Sequence, residues 1–566
     1  MMKRTMVMLL VFCLAILLIA CSQATPAVET LVEQVPEATQ PPEVETEPAA
    51  AEPVVLRVGG VQGIDCWNPY SCSDHWDYND IVYEGFTGHG PGKGCSGVPR
   101  LAKSWEVSED GLTWTLHLQE GVTYSDGTPF DANTAVEFIQ WFNNTELKYW
   151  FYTSWNMTEI KALDDLTLQF TTEVPISNFP DYDGVWWWML SPTIWGEFDD
   201  ASLLTFEGFP PIGTGPYIVS EWVAGDHIVF DARPDYYQGK PAVDRIVYQQ
   251  YANWDAMVQA FLAGEIDLTT AKLPPQYYDT LVSAPNTTVE ERPPGEMYQL
   301  VFNMYEKGTK HPAINDQKVR EAIDYAIDKQ QLVDIALMGH GVTCPTNYAC
   351  GEGYEGELNP ELVLTPYDPE KARQILEEAG YVDSDGDGVR ETQDGQPLEF
   401  RFYYAVEIPA EITMAESIKG WLADVGIKIE PEAQESSTLY NAHLDQRDFD
   451  MVIVYESADV DPAFLDFGYS CWSADAGSSA LNHAGYCNKE VDDLTYSYIT
   501  TANKEEALAF IFQAQAILNT DRPIILIGAE NQIQAFNNQK FDFMQNTCDI
   551  GLGMWGYPGV INITVK

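Results

Sequence analysis

Positive charge is what this 566-residue chain has least of: 30 lysines and arginines stand against 86 aspartates and glutamates, a formal net charge of -56. A phosphate backbone would be repelled on every approach, which excludes nucleic acid as a partner. No block of Lys and Arg exists to dock on anionic headgroups, so any hold on a membrane has to be covalent or hydrophobic. Catalytic signatures are missing too, with no HExxH, no GxSxG and no GxxxxGK[ST]. The nearest approach, Gly88 to Gly94, has Thr87 where the leading glycine belongs and Gly94 where Ser or Thr should hold magnesium, so it reads as a flexible loop. The eight histidines are scattered, none beside a plausible nucleophile, and no CxxC or paired-His spacing offers a zinc site.

A long apolar run is also lacking. Met6 to Ala20 spans fifteen residues, short of the roughly 20 that cross a bilayer. With Lys3 and Arg4 before it and small Ala20 after it, the stretch reads as an export signal, residues 1–20. Leu18, Ile19, Ala20 and Cys21 resemble the bacterial lipobox, which implies cleavage before Cys21 and a diacylglycerol on its thiol. From Ser22 to Pro53 the chain has six prolines, seven glutamates and no basic or aromatic residue, the composition of an extended, solvated tether. The expected location is extracytoplasmic, on a cell membrane at its periplasmic face or on the cell surface.

Setting aside Cys13 and Cys21 leaves Cys66, Cys72, Cys95, Cys344, Cys350, Cys471, Cys487 and Cys548, an even number that suits an oxidising compartment. The close pairs Cys344/Cys350 and Cys471/Cys487 are the expected disulfides. The pairing of the other four stays open.

Strand and helix patterns alternate irregularly, as in a mixed α/β protein, with 45% hydrophobic residues to fill more than one core. Leu112, Trp114, Leu116 and Leu118 alternate with polar residues and predict a half-buried strand. Asp131 caps a helix whose Ala135, Phe138, Ile139 and Phe142 form one apolar face. A second helix follows Asp316, with Val319, Ala322, Ile323 and Ala326 inside and Lys318, Arg320 and Glu321 outside. A third has Asp368 as cap, Pro369 in its first turn and Gly380 as its stop.

One local motif carries chemistry. DSDGDGVRETQD places Asp383, Asp385 and Asp387 at positions 1, 3 and 5 of a loop, Gly388 at 6, the Val389 carbonyl at 7 and Asp394 at 12. Calcium takes oxygen ligands at this spacing, and the ion would be structural. An acidic, glycine-rich turn between helix and strand is the alternative reading.

The stretch LAKSWEVSEDGLTWTLHLQEGVTYSDGTPFDANTAVEF, followed in order by GTGPYIVSEW, RPDYYQGKPAVDRI, AFLAGEIDL, LVFNM and HPAINDQKVREAIDYAIDKQQLV, resembles the family 5 extracellular solute-binding proteins. These are peptide, dipeptide and nickel receptors of ABC importers. The resemblance implies an α/β, two-lobed, type II periplasmic-binding-protein-like fold with an extra subdomain in the first lobe, and no enzyme activity. A cleft between the lobes would close on solute and present it to a transporter permease and ATPase. Carried onto this chain, residues 54–300 and 530–566 make the first lobe and 301–529 the second, with hinges at Tyr298 to Met304 and Pro523 to Glu530.

In peptide-binding members of the family, a motif resembling W-x-A-D-x-x-D/E-P places an aspartate on the ligand's α-amino group. ESADVDP matches it at Asp459 and at Asp461-Pro462 with one residue fewer between them, and Glu456 stands where the aromatic would be. Asp459 is therefore the expected amine-binding residue, although it could equally cap a turn. Tyr70, Asn303, Tyr455 and Trp472 are further cleft candidates. So is Trp187, because Trp186, Trp187 and Trp188 cannot all share one face of a regular element. The expected ligand is an oligopeptide, with an oligosaccharide or a cationic small solute as alternatives. An exported hydrolase is a distant one, lacking a visible nucleophile and base.

Overall fold

The computed structural model describes residues 52–63, 66–70, 76–89, 97–145, 147–148, 152–196, 208–270, 272–346, 356–457, 462–475, 481–543 and 557–566. The expected signal, the lipid site Cys21, nearly all of the tether, residues 90–94 of the glycine-rich loop, Asp459, Asp461, Cys72, Cys95, Cys350 and Cys548 lie outside the described residues. Among the described residues no helix is long and apolar enough to cross a membrane.

One eleven-stranded mixed sheet organises the body. From edge to edge its strands are Lys428–Gln434, Glu399–Ala405, Met451–Ser457, Thr287–Phe302, Ile524–Asn537, Leu268–Thr269, Val55–Gly60, Arg245–Gln250, His227–Ala232 and Tyr217–Val223, with Gly341–Val342 also paired to Ile524–Asn537. Two long strands, Thr287–Phe302 and Ile524–Asn537, run antiparallel through its middle and belong to both lobes. Their far ends join Leu268–Thr269 in the first lobe and Met451–Ser457 in the second.

Register between these two strands is irregular at Arg292/Pro294, Pro294/Glu296 and Tyr298/Gln299. Pro294 has no N–H to give the ladder, so pairing loosens there. Bulges of this kind bend a strand, and they overlap the expected hinge segments at Tyr298 and at Leu526–Glu530 while extending further toward the N-terminus.

A separate four-stranded antiparallel sheet, in the order Ala102–Val107, Thr113–Leu118, Thr167–Thr172, Met157–Asp164, forms the extra layer of the first lobe. Trp114, Leu116 and Leu118 point inward from it, as their alternation predicts. Helix Ala132–Phe142 packs on it, capped by the Asp131 carboxylate accepting from the Thr134 N–H.

The second lobe buries an aliphatic layer. Helix Gln317–Ala326, capped by Asp316, packs beside Pro369–Glu378, capped by Asp368, with Gly380 at φ +88° ending the latter. Arg320 departs from its expected outward place. It is 3% exposed and donates to the carbonyls of Ile314, Asp521 and Arg522, so this helix buries a polar face as well as an apolar one. The lobes also meet away from the long strands. Lys504 pairs with Asp181 at 2.9 Å, the Ser177 N–H donates to Ile499 O, and Gly111, at φ +72°, lets its turn close against Ala502, where a Cβ would sit 2.7 Å from that side chain.

Candidate functional site

Strand direction locates the site. In the first lobe, Val55–Gly60 runs parallel to Arg245–Gln250 and Leu268–Thr269. In the second, Glu399–Ala405 runs parallel to Lys428–Gln434 and Met451–Ser457. The pairing of Leu268 with Phe536 and of Ser457 with Glu296 makes both sets point their carboxyl ends at the same middle section of the two long strands. Ligands of open α/β sheets bind outside the carboxyl ends of parallel strands. The two facing edges therefore form the candidate cleft, with Glu296 and Glu530, which are ladder partners, at its floor.

On the first-lobe edge, Gly60 lets Tyr248 and Thr270 crowd against the backbone, and the Tyr248 hydroxyl donates to Gln62 O at 2.6 Å. Lys272, just past Leu268–Thr269, forms an ion pair with Glu296, which is 4% exposed. Tyr298, one pleat along from Glu296, donates its hydroxyl to Glu530 Oε2 at 2.7 Å. Tyr455 stands opposite Tyr298, ring centroids 4.9 Å apart. Burial pushes Glu530 up to about 7, and neighbouring Glu296 adds to the rise while Tyr298, Lys272 and Tyr455 oppose it.

Beyond them, in the first turn of helix Pro409–Asp424, sits Glu411. It is 1% exposed, and its Oε2 accepts the Ala405 N–H at 2.6 Å. The other oxygen, Oε1, has no hydrogen-bond partner. Burial drives Glu411 up to about 8, and Glu407 raises it further. Burial, with the charges of Glu411 and its neighbours added, also holds the hydroxyls of Tyr298, Tyr440 and Tyr455 un-ionised. Glu456 completes the edge, its Oε1 shared by the Tyr440 hydroxyl at 3.2 Å and His483 Nε2 at 2.7 Å.

Of the expected cleft residues, Tyr455 falls within this cluster, as does Glu456, and Asp459 lies outside the described residues. The others take different positions. Trp187 is 0% exposed and packs edge-on against Phe86 and Phe179. The short helix Asp183–Trp186 ends at Trp187, so three successive tryptophans leave a changing backbone in different directions and all three bury in the core. Tyr70 is also core, stacked on Phe138 with its hydroxyl on Trp188 O at 2.7 Å. Asn303 is 0% exposed and ties strand ends together through Arg447 O and Phe449 O. Trp472 is 55% exposed on the short helix Cys471–Ala474, its indole N–H on Asp466.

Sequence reasoning missed Glu296, Tyr298, Glu411, Tyr440, His483 and Glu530 as a group. Nothing local marks a glutamate among 86 acids; long-range strand register and the start of one helix bring these together.

The acidic loop folds on itself. Asp383 accepts the N–H groups of Gly386 and Gly388, Asp385 that of Asp387, and Asp387 that of Val389. Oxygens of Asp383, Asp385, Asp387 and Glu391 lie within 4.8 Å of one another. Asp394 is not among them, because its carboxylate turns to the Thr392 hydroxyl at 2.5 Å; Glu391, at position 9, takes the place expected for it. Cys471 and Cys487 form the expected disulfide. Cys66 and Cys344 each take part in a disulfide as well. Beside Cys471 and Cys487 opens a cavity of about 660 Å³ whose polar walls already satisfy one another, Tyr305 with Asp475 and Tyr486 with Asp521.

A two-lobed mixed α/β body joined by two irregular strands, with facing carboxyl-terminal strand edges, defines the type II periplasmic-binding-protein fold. Residues 97–478 match the family described as bacterial extracellular solute-binding proteins, family 5 Middle. The nickel-binding periplasmic protein of Escherichia coli K12 is 31% identical over 357 residues, covering 62% of this chain and 66% of that protein. The glutathione-binding protein GsiB of the same strain is 25% identical over 525 residues, 87% of this chain and 92% of that one. In fold, the oligopeptide-binding protein AppA of Bacillus subtilis, solved with a nonapeptide, superposes with a TM-score of 0.74 at 20% identity, over 91% of this chain and 100% of that one. The chain belongs to the family 5 extracellular solute-binding proteins. It is a binding receptor and not an enzyme.

Proposed function

We propose that the chain is a lipid-anchored extracytoplasmic receptor that captures oligopeptides by closing its lobes and hands them to the permease and ATPase of an ABC importer. The observation carrying this reading is the pair of polar strand edges that face each other across two irregular connecting strands. A cleft of that build binds and releases by bending, with no chemical step. Phenol rings beside hydrogen-bond acceptors suit the amide and amine groups of a peptide, and the glutathione-binding relative handles a small peptide by its name. The lipobox-like tetrad ending at Cys21 and the acidic tether supply the anchor. In this reading the loop of Asp383, Asp385, Asp387 and Glu391 holds a structural calcium ion.

Native mass spectrometry of protein purified from its host without refolding tests the ligand. Retained solutes spaced by amino-acid residue masses support the reading, and hexose spacings overturn the oligopeptide assignment. Replacing Cys21 by Ser (Cys21→Ser) should release the protein from the membrane fraction; continued retention would refute the anchor.

A further inference from the structure

Buried carboxylates are costly unless a partner offsets the lost hydration. Glu411 presents such a group at the second-lobe edge, with one oxygen on the Ala405 N–H and the other unpartnered at 1% residue exposure. Its charge acts on Tyr298 from the long strand, on Tyr455 from the adjoining strand and on Tyr440 from the turn of helix that follows Ser436–Thr438. Glu530 acts on Tyr298 and Tyr455 as well, held by the Tyr298 hydroxyl, with Glu296 and Lys272 beside it. Lys272 is already engaged by Glu296. What this corner offers is acceptor oxygens and aromatic faces.

We propose that Glu411 and Glu530, with the rings of Tyr298, Tyr440 and Tyr455 around them, form a subsite for a cationic group of the solute other than a peptide's α-ammonium: an alkylammonium, as on a lysine side chain, or a guanidinium. The assignment rests on the cleft being the solute site. Two contributions recognise the cation: charge-assisted hydrogen bonds to Glu411 Oε1 and Glu530, and attraction to the faces of the tyrosine rings. Without solute, Glu411 holds a proton at neutral pH because burial and Glu407 favour the neutral acid, and Glu530 holds one in part. A cation displaces these protons, so its affinity rises with pH from about 6 to about 8 as both groups ionise. A neutral solute shows no such rise.

Calorimetric titration of the detergent-purified full chain with Ala-Lys-Ala, Ala-Ala-Ala, Ala-Glu-Ala and 1,5-diaminopentane tests this. Ala-Lys-Ala should bind at least tenfold more tightly than Ala-Glu-Ala at pH 8. Glu411→Gln, which keeps an acceptor for the Ala405 N–H, should bring the ratio within about threefold; Glu530→Gln serves if that variant fails to fold. Equal binding of the three peptides overturns the subsite while keeping the peptide receptor. Binding of the diamine alone, lost in Glu411→Gln, supports the subsite and rejects the peptide reading. A lysine preference that survives both substitutions, or no binding of any of the four, overturns the subsite.

Discussion

Two buried carboxyl groups on helices of the second lobe have opposite electrostatics. Asp324, on the helix Gln317–Ala326, is 5% exposed, yet lies 2.7 Å from Lys329, 2.8 Å from Arg522 and 2.6 Å from the Thr365 hydroxyl. Burial alone would raise it, but the two cations outweigh that and hold it below the usual carboxylate range. Glu411, buried more completely, has one backbone N–H and no cation among the groups that shift it, and is pushed up to about 8. The void beside Asp324 is about 30 Å³, room for a water and not for a solute. Asp324 is thus complete within the protein, whereas Glu411 still has an oxygen to satisfy. The lesson concerns location: the completed group lies among Pro345, Leu518 and Ile525, and the incomplete one at the carboxyl end of a strand that faces the other lobe.

The comparison breaks most strongly at Asp324. Asp324→Ala leaves Lys329 and Arg522 buried without their counter-charge, and the expected loss is about 3–5 kcal/mol of folding stability, read from urea denaturation. A loss below about 1 kcal/mol would mean that water replaces the carboxylate. Glu411→Gln should act the other way. Its folded-state value near 8 stands above the ordinary glutamate value of 4.5, so the neutral acid contributes stability that is complete below 4.5 and is lost as pH rises through 8. An amide avoids that loss. Relative to the parent, the variant should gain about 4 kcal/mol between pH 4.5 and pH 8.5, measured as the change in denaturation midpoint. A flat difference across that window would show Glu411 to be solvated.

How much of this was legible beforehand follows from how local each signal is. The caps Asp131, Asp316 and Asp368, the alternation at Trp114 to Leu118 and the Cys471/Cys487 pair depend on neighbours within one turn, strand or loop, and they stand as expected. The order of motifs along the chain gave the family and with it the two-lobed fold. Site residues were less readable. Tyr455 was among the cleft candidates and lies in this cluster, but Glu411 acts on Tyr298 only because a strand pairing across about 150 positions and the start of one helix bring them near each other. The tryptophan argument failed for a physical reason: it assumed one regular element, and the backbone changes conformation at Trp187. Arg320 and Asp394 moved for the same kind of reason, one drawn inward by the Asp521 and Arg522 carbonyls and the other by a hydroxyl two residues away.

A third carboxylate sharpens the comparison by adding exposure to pairing. Asp181 accepts from the Gly97 N–H and meets Lys504 across the lobes at 2.9 Å, with side chains 20% and 49% exposed. Water screens such a pair, and its contribution is about 0–1 kcal/mol. Lys504→Ala should therefore leave the denaturation midpoint nearly unchanged. Its effect belongs to closure, because the pair exists only when the turn carrying Gly111 and the loop carrying Ser177 lie against Ile499 and Ala502. Removing at most 1 kcal/mol from the closed form lowers the affinity for a captured solute by no more than about fivefold. Small-angle scattering without solute should show a larger radius of gyration for the variant than for the parent, and the two should coincide at saturation. If the unliganded radii already agree, the long strands set the closed geometry unaided and Asp181 with Lys504 only decorates it.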